Sequence, residues 1–243
     1  QMCIRDSYSA VKFYNDCASV LSQKKNIGQV PFFVGGTGLY FRAIEHGFSF
    51  VPMIGGQFRE KIELELKDKG LPYLYEKLRK IDPKLASALH PHDKQRIMRG
   101  LEVFESTGRA LSSFRSKERI KPLVSRPLKL VVFEPNKEIH HKNIEKRFNK
   151  MLEFGLINEV KTLLLRNPQV INSPGLRAIG YLQVIKYLTG VLSFTEMRSE
   201  AIQESKQLAK RQITWFKKER NTIWIESGRI NDAIAKIMLE LKN

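Results

Sequence analysis

Apolar positions along this chain recur with two spacings, and their alternation predicts an α/β protein. Val11, Phe13, Tyr14, Cys17, Ala18, Val20 and Leu21 fall on one face of a helix, with Ser9 placed to cap it. Lys24 to Gly28 ends that helix. Gln29-Val30-Pro31-Phe32-Phe33 follows, short, apolar and rich in β-branched and aromatic side chains, as a buried strand is. It turns through Val34-Gly35-Gly36-Thr37-Gly38 into Leu39 to Ile44, the first turns of another helix. Helix, strand and helix in that order predict a mostly parallel sheet with helices on its faces. The clearest strand signal is Leu128-Lys129-Leu130-Val131-Val132-Phe133, closed by Pro135. A helix over 138–154 then carries Ile139, Ile144, Phe148, Met151 and Leu152 on one face, and a second runs over 156–165. Pro174 and Gly175 break the turn before Leu176, and the helix that follows carries Arg177 near its start. Ser193 or Thr195 caps the last long helix, with Met197, Ala201, Ile202, Leu208, Ala209, Ile213 and Phe216 on one arc. Thr222-Ile223-Trp224-Ile225 is a short terminal strand.

A stretch of different character interrupts this pattern. Residues 48–56 read as a loop with Pro52, Gly55 and Gly56, and 58–66 and 71–81 as charged amphipathic helices with little strand signal. Asp82 and Pro83 suit the cap and first position of a short helix. The expected organisation is 8–50 as part of an α/β core domain, 51–92 as a helical insertion, and 93–243 as the remainder of the core with C-terminal helices. Packing of those short helices on the main core is the alternative. Asp93 caps a further helix whose buried side is Ile97, Leu101 and Phe104. Residues 112–125 read as a basic, polar loop.

Charge narrows the class of partner. Forty-two Lys and Arg against 25 Asp and Glu give a net +17 over 243 residues, which favours a polyanion such as nucleic acid, or an anionic membrane surface. No run of about 18 apolar residues occurs, so no bilayer-spanning helix is expected. Cys3 and Cys17 form no metal-spaced pattern, which fits a reducing compartment, and no apolar signal region precedes Phe13. A cytoplasmic address is expected. The charge is also concentrated. Lys206, Lys210, Arg211, Lys217 and Lys218 lie on or beside one face of the last long helix, and Glu219 is the sole acid between Lys206 and Arg220. Such a face reads as a track for a phosphate backbone, with a solvated surface as the alternative.

The glycine loop is the first candidate for chemistry. A strand turning through glycines into a helix leaves backbone N–H groups free for an anion, and glycine lets a ligand approach closely. Thr37 is placed as a cap or as a ligand to phosphate, although a plain capped turn has the same pattern. Gln95, Arg96 and Arg99 cluster in the first turns of their helix, where arginines oppose the dipole. That placement points to an anionic partner or to solvated surface charge. His90-Pro91-His92-Asp93 reads as a loop before a helix and not as a metal site, because no further ligands lie nearby.

Gly35-Gly36-Thr37-Gly38-Leu39-Tyr40, Gln95-Arg96-Ile97-Met98-Arg99, Arg177-Ala178-Ile179-Gly180-Tyr181 and Lys210-Arg211-Gln212-Ile213-Thr214-Trp215 together resemble the tRNA dimethylallyltransferase family. These tRNA prenyltransferases are also called isopentenyltransferases. Tyr8-Ser9-Ala10 and Phe133-Glu134-Pro135 sit where that family has similar segments, so the resemblance runs over 8–226. It implies a P-loop nucleotide-kinase-like parallel sheet with flanking helices, and a helical insertion that clasps the anticodon stem. It implies transfer of a dimethylallyl group from dimethylallyl pyrophosphate to the exocyclic amine of an adenosine beside the tRNA anticodon, with Mg2+ at the pyrophosphate. On that resemblance Thr37 touches the adenosine or the substrate channel, and Arg177 pairs with the pyrophosphate or a nearby RNA phosphate. Gln95, Arg96, Ile97, Met98 and Arg99 bind anticodon-loop nucleotides. Ala178, Ile179, Gly180 and Tyr181 form the same wall as Arg177, and Lys210, Arg211, Gln212 and Thr214 contact tRNA. Arg59 stands where the family often has a tRNA-contacting Arg. The implied partners are the tRNA anticodon stem-loop and dimethylallyl pyrophosphate, with no membrane, and a monomer is expected.

The chain also departs from the family. The family opens with a phosphate loop ending in Gly-Lys-Thr and an Asp-Ser segment carrying the presumed general base, and no G-x-x-x-x-G-K-[ST] occurs in these residues. Residues 1–7 read poorly as a native start, and Leu182 stands where a basic or polar residue is common. The expectation is a fragment without the first strand and phosphate loop, whose Mg2+ ligands lie in the missing part and which is inactive alone. The alternative is a non-catalytic basic RNA-binding module of the same fold.

Overall fold

A computed structural model describes residues 8–24, 30–49, 51, 54–114, 119–124, 127–168, 171 and 173–240. In chain order the elements are α1 (Ala10–Lys24), α2 (Gly38–His46), β1 (Phe48–Ser49), α3 (Gly56–Ile81), α4 (Pro83–Ser87), α5 (Lys94–Thr107), α6 (Leu111–Phe114) and β2 (Arg119–Ile120). They continue with β3 (Lys129–Phe133), α7 (Lys137–Glu153), α8 (Leu156–Arg166), α9 (Tyr181–Leu188), α10 (Phe194–Phe216), β4 (Thr222–Glu226) and α11 (Ile230–Glu240). Two compact units result. One joins the chain up to Arg42 with the chain from Val124 onward, and the other is Ala43–Leu123.

The larger unit is built on β3 and β4, which pair in parallel from Lys129 opposite Thr222 to Phe133 opposite Glu226. Val131, Val132 and Phe133 of β3 with Ile223, Trp224 and Ile225 of β4 give the β-branched and aromatic content that a pleated surface favours. Parallel strands need a crossover, and α7 to α10 supply it. Those helices enclose a core of Phe148, Leu156, Val160, Leu176, Val184, Met197, Ala201 and Ile202. Val160, Val184 and Met197 are fully buried, each worth roughly 1.5–3 kcal/mol relative to exposure. Helix starts are set locally. Asn136 Oδ1 accepts from the N–H groups of Glu138 (2.9 Å) and Ile139 (3.1 Å) at α7. At α10, Ser193 Oγ accepts from Glu196 N (3.3 Å) while Ser193 N donates to Glu196 Oε2 (2.8 Å), so Ser193 and not Thr195 is the cap.

The helical unit packs α3, α4 and α5 around Ile62, Leu74, Leu78, Leu85, Ile97 and Leu101. Its longest element breaks at Gly70 (φ 78°, ψ 171°), just before Pro72, so α3 is the pair of helical segments that the sequence pattern predicts. Asp82 is buried and caps α4 with Oδ1 on Leu85 N (3.0 Å), while Oδ2 accepts from Ser112 N (2.8 Å). Lys61 (2.5 Å) and Lys77 (3.2 Å) converge on Glu105, and Lys77 also reaches Glu65 (2.8 Å). Phe48 and Ser49 pair antiparallel with Ile120 and Arg119.

Several expectations need correcting. Val30 to Phe33 is not a strand: Val30 and Phe32 are 52% and 65% exposed, and the segment joins no ladder among the described residues. An extended apolar run becomes a strand only when a neighbour completes its hydrogen bonds, and composition does not specify that neighbour. The helical unit reaches beyond 51–92, because Ile97, Met98 and Leu101 of α5 fill the same core as Leu74 and Leu78 of α3. Ile139 and Leu208 lie at 47% and 41% exposure, at the edges of faces whose centres are Phe148 and Ile202. Part of the expected 112–125 loop is ordered as α6 and β2. Residues 1–7 with Cys3, the helix stop at 25–28, Gln29, Pro52 and Ser125 lie outside the described residues.

Candidate active site

The glycine loop is held from two sides. Toward its C-terminal side, Thr37 O accepts from Tyr40 N (2.9 Å) and Phe41 N (3.4 Å), which starts α2. Tyr40 stacks on Phe13 of α1 with ring centroids 4.7 Å apart, and its hydroxyl donates to Tyr8 O (3.0 Å). Tyr8 in turn donates to Asp16 Oδ2 (2.6 Å), a bond that pushes its phenol up to about 12. On the other side is α10. Gln212 Nε2 donates to Gly36 O (3.2 Å), and Phe216 meets Phe41 with centroids 6.2 Å apart. A Cβ built on Gly36 would lie 2.1 Å from Gln212 Nε2, and one on Gly38 would lie 2.1 Å from Trp215 Nε1. Neither glycine has positive φ, so both are required for close approach and not for a left-handed backbone. The sequence reading gave that space to a ligand, whereas side chains of α10 fill it. Thr37 itself is exposed.

Arg177 ends a single 3-10 turn, Pro174–Arg177, and is not inside the following helix as the sequence suggests. Gly180 (φ 97°) reverses the chain, and α9 begins at Tyr181. The turn is fixed from within. Gly180 N donates to the buried Gln183 Oε1 (2.8 Å), and Gln183 Nε2 reaches Glu200 Oε1 (3.4 Å), which also holds Lys186 (2.6 Å). Arg177 and Ala178 are exposed, Ile179 is half-buried, and Gly180 is buried. Tyr181 donates to Glu159 Oε1 (2.5 Å), and that bond raises its phenol to about 12. Sequence reasoning did not assign roles to Gln183, Glu159 or Trp215. For Gln183 a signal existed, since Gln three residues after a helix-starting residue is the capping-box position.

Along α10, Lys210, Arg211 and Thr214 are exposed with Lys217 and Lys218, and Lys206 is half-buried. Thr214 Oγ1 donates back to Lys210 O (2.9 Å). Gln212 faces the glycine loop, so the structure separates it from the basic side chains beside it in sequence.

Within the helical unit, Gln95, Arg96 and Arg99 project from the start of α5 as exposed side chains. Asp93 caps that helix through Arg96 N (3.2 Å) and lies 3.5 Å from Arg96 Nε, while Arg99 lies 3.5 Å from Glu102. Ile97 (0% exposed) and Met98 (6%) are core residues, which corrects their assignment to an RNA-contacting surface. In a helix, adjacent residues point about 100° apart, so a contiguous motif cannot present every side chain to one partner. Arg59 is exposed and pairs with Glu63 (3.1 Å). His92 N donates to His90 Nδ1 (3.3 Å), the geometry of a turn leading into α5.

A parallel pair crossed over by helices, a glycine turn clasped by a basic helix, and a separate helical unit define an α/β protein with a helical insertion. Residues 2–219 match the family model described as IPP transferase. The tRNA dimethylallyltransferase of Coxiella burnetii is 39% identical over 235 residues, 97% of this chain and 78% of that protein. The tRNA dimethylallyltransferase of Legionella pneumophila is 36% identical over 241 residues, covering 98% and 77%. In structure, the chain is similar to a full-length tRNA isopentenylpyrophosphate transferase from Bacillus halodurans, with a TM-score of 0.65, 28% identity and coverage of 98% of this chain and 76% of that one. The chain belongs to the IPP transferase family.

Proposed function

We propose that the protein to which this chain belongs transfers a dimethylallyl group from dimethylallyl pyrophosphate to N6 of the adenosine on the 3′ side of a tRNA anticodon. In that step the N6–C1 bond forms as the C1–O bond to pyrophosphate breaks, and the amine proton is released to water. One observation carries the reading: α10 turns Lys210, Arg211 and Thr214 outward while its other side holds the turn that carries Thr37. A phosphate track and a glycine turn on the same helix suit an enzyme whose small-molecule chemistry is directed by RNA. Thr37 orients the adenosine, and Arg177 stabilises charge on the leaving pyrophosphate or pairs with a neighbouring phosphate, a role suited to a planar guanidinium. Lys210, Arg211 and Thr214 bind the RNA backbone. Gln95, Arg96, Arg99 and Arg59, all exposed, contact the anticodon stem-loop from the helical unit.

Mg2+ at the pyrophosphate would neutralise the leaving charge. The acid that touches the Arg177–Tyr181 segment, Glu159, accepts the Tyr181 hydroxyl on Oε1, and no step is assigned through the ion. The reading places the protein in the cytoplasm as a monomer, and no helix among the described residues is long and apolar enough to cross a membrane. The test is incubation of the full-length protein with labelled dimethylallyl pyrophosphate and a tRNA anticodon stem-loop bearing adenosines after the anticodon. Label on N6 of that adenosine is expected. RNA binding without transfer would replace this reading by the non-catalytic RNA-binding module.

A further inference from the structure

Trp215 lies three residues after Gln212, so the two side chains leave α10 on the same side one turn apart, and both end on the glycine turn. Gln212 is 176 residues from Gly36 in sequence, and its hydrogen bond is a tertiary clamp and not a local cap. Its amide suits the task. It presents an N–H to a backbone carbonyl without a charge to desolvate, whereas a carboxylate there would oppose the carbonyl oxygen. Trp215 closes the other end, because its ring fills the space a side chain at position 38 would need. Thr37 sits between the two held glycines, its carbonyl already engaged by Tyr40 and Phe41 and its side chain exposed.

We infer that Gln212 and Trp215 are positioning residues that hold the Gly36-Thr37-Gly38 turn from α10 and so set the place of the Thr37 hydroxyl. This rests on the transferase reading above and assigns Gln212 a role apart from the RNA contacts of Lys210, Arg211 and Thr214. It also makes α10 the element through which RNA bound on one side fixes the adenosine-facing turn on the other.

The test uses the full-length protein with Gln212→Met and Gln212→Glu, which keep the side chain's length and remove the donor, and Lys210→Ala for comparison. The Gln212 variants are expected to lower kcat about tenfold while the KM for the stem-loop stays within about twofold. Lys210→Ala is expected to raise KM at nearly constant kcat. Trp215→Phe should retain more kcat than Trp215→Ala. Amide hydrogen exchange supplies a readout independent of turnover: Gln212→Met should accelerate exchange across residues 36–41 far more than elsewhere, with a fall in the unfolding midpoint no larger than the loss of one hydrogen bond accounts for. A Gln212 variant that raises KM as Lys210→Ala does, or leaves exchange at 36–41 unaltered, overturns the inference. Absence of transfer by the unsubstituted protein would overturn the transferase reading instead, and the exchange result would still decide whether the clamp exists.

Discussion

Tyr181, the first residue of α9, donates its hydroxyl to Glu159 in the first turn of α8 across 2.5 Å. This bond, with burial second, pushes the phenol up to about 12 and keeps it a donor through neutral pH. A raised folded pKa means the bond's stabilisation is whole below the ordinary phenol value near 10 and is lost as pH climbs toward 12. Tyr181→Phe is therefore expected to cost about 0.5 kcal/mol at neutral pH, small because the pair is open to solvent, with the difference vanishing above about pH 12. Tyr8 is pushed up to about 12 as well. A spectrophotometric titration should lose part of its late amplitude in the variant.

The glycine turn gives a graded series. A Cβ at Gly35 meets nothing within 4 Å, one at Gly36 meets the flexible end of Gln212, and one at Gly38 meets the indole of Trp215. Gly35→Ala should be neutral or stabilising by up to about 1 kcal/mol, through the unfolded chain. Gly36→Ala should cost about 1 kcal/mol as the Gln212 bond is displaced, and Gly38→Ala about 2 kcal/mol because a ring cannot swing aside as an amide can. Denaturant midpoints of the three variants check the order. Equal costs would mean that α10 does not seat on the turn.

Local signals and tertiary ones fared differently. Ser9, Asp82 and Asp93 were readable as caps, and the cap of α10 was narrowed to Ser193 or Thr195, because each cap uses a hydrogen bond within three residues of its own helix. Lys129–Phe133 was readable as a strand because its pattern is continuous, and the family was readable from motif blocks in order. Val30 to Phe33 misled because pairing is decided elsewhere in the chain. Ile97 and Met98 misled because a motif is a string, whereas a helix presents its residues to different sides. Gln212 was grouped with Lys210 and Arg211 for the same reason, and only its contact 176 residues away reveals its direction.

Asp82 holds the helical unit at a junction. It is 1% exposed and accepts from both Leu85 N and Ser112 N, so α4 and the start of α6 depend on one carboxylate. Asp82→Ala leaves two N–H groups without their acceptor and should cost about 3 kcal/mol. Asp82→Asn keeps one carbonyl oxygen but turns an amide NH2 toward the other N–H, and should cost about 2 kcal/mol. Circular dichroism against urea separates the two. A cost near zero for Asp82→Ala would show that solvent replaces the carboxylate.

Acid should loosen the same unit. The hydrogen bond from Lys61, and then that from Lys77, hold the Glu105 carboxyl below its ordinary value. A lowered folded pKa contributes stability above the unfolded carboxylate value, and the contribution is lost as pH falls through the folded one. Glu105→Gln should therefore lower the urea midpoint at about pH 7 and leave it nearly unchanged at about pH 3. A variant as stable as the parent at neutral pH would show that the pairs with Lys61 and Lys77 contribute nothing, as is common for exposed ion pairs.

Arg177 and Lys206 divide the proposed work between chemistry and affinity. Arg177 is exposed at the end of a turn that Gly180, Gln183 and Glu200 hold in shape, which suits a guanidinium aimed at charge that develops on a leaving group. Lys206 lies on α10, ahead of the outward basic side chains, where it adds to the field along the RNA backbone without fixing a reacting atom. Arg177→Ala should lower kcat on the order of a hundredfold with a smaller change in KM. Lys206→Ala should weaken stem-loop binding and reduce the salt slope of log K by about one, with kcat nearly retained. Binding measured at several salt concentrations, beside single-turnover rates, distinguishes the two effects. Equal losses of rate from both substitutions would show that the turn at Arg177 is part of the RNA track and that the leaving-group charge is met elsewhere.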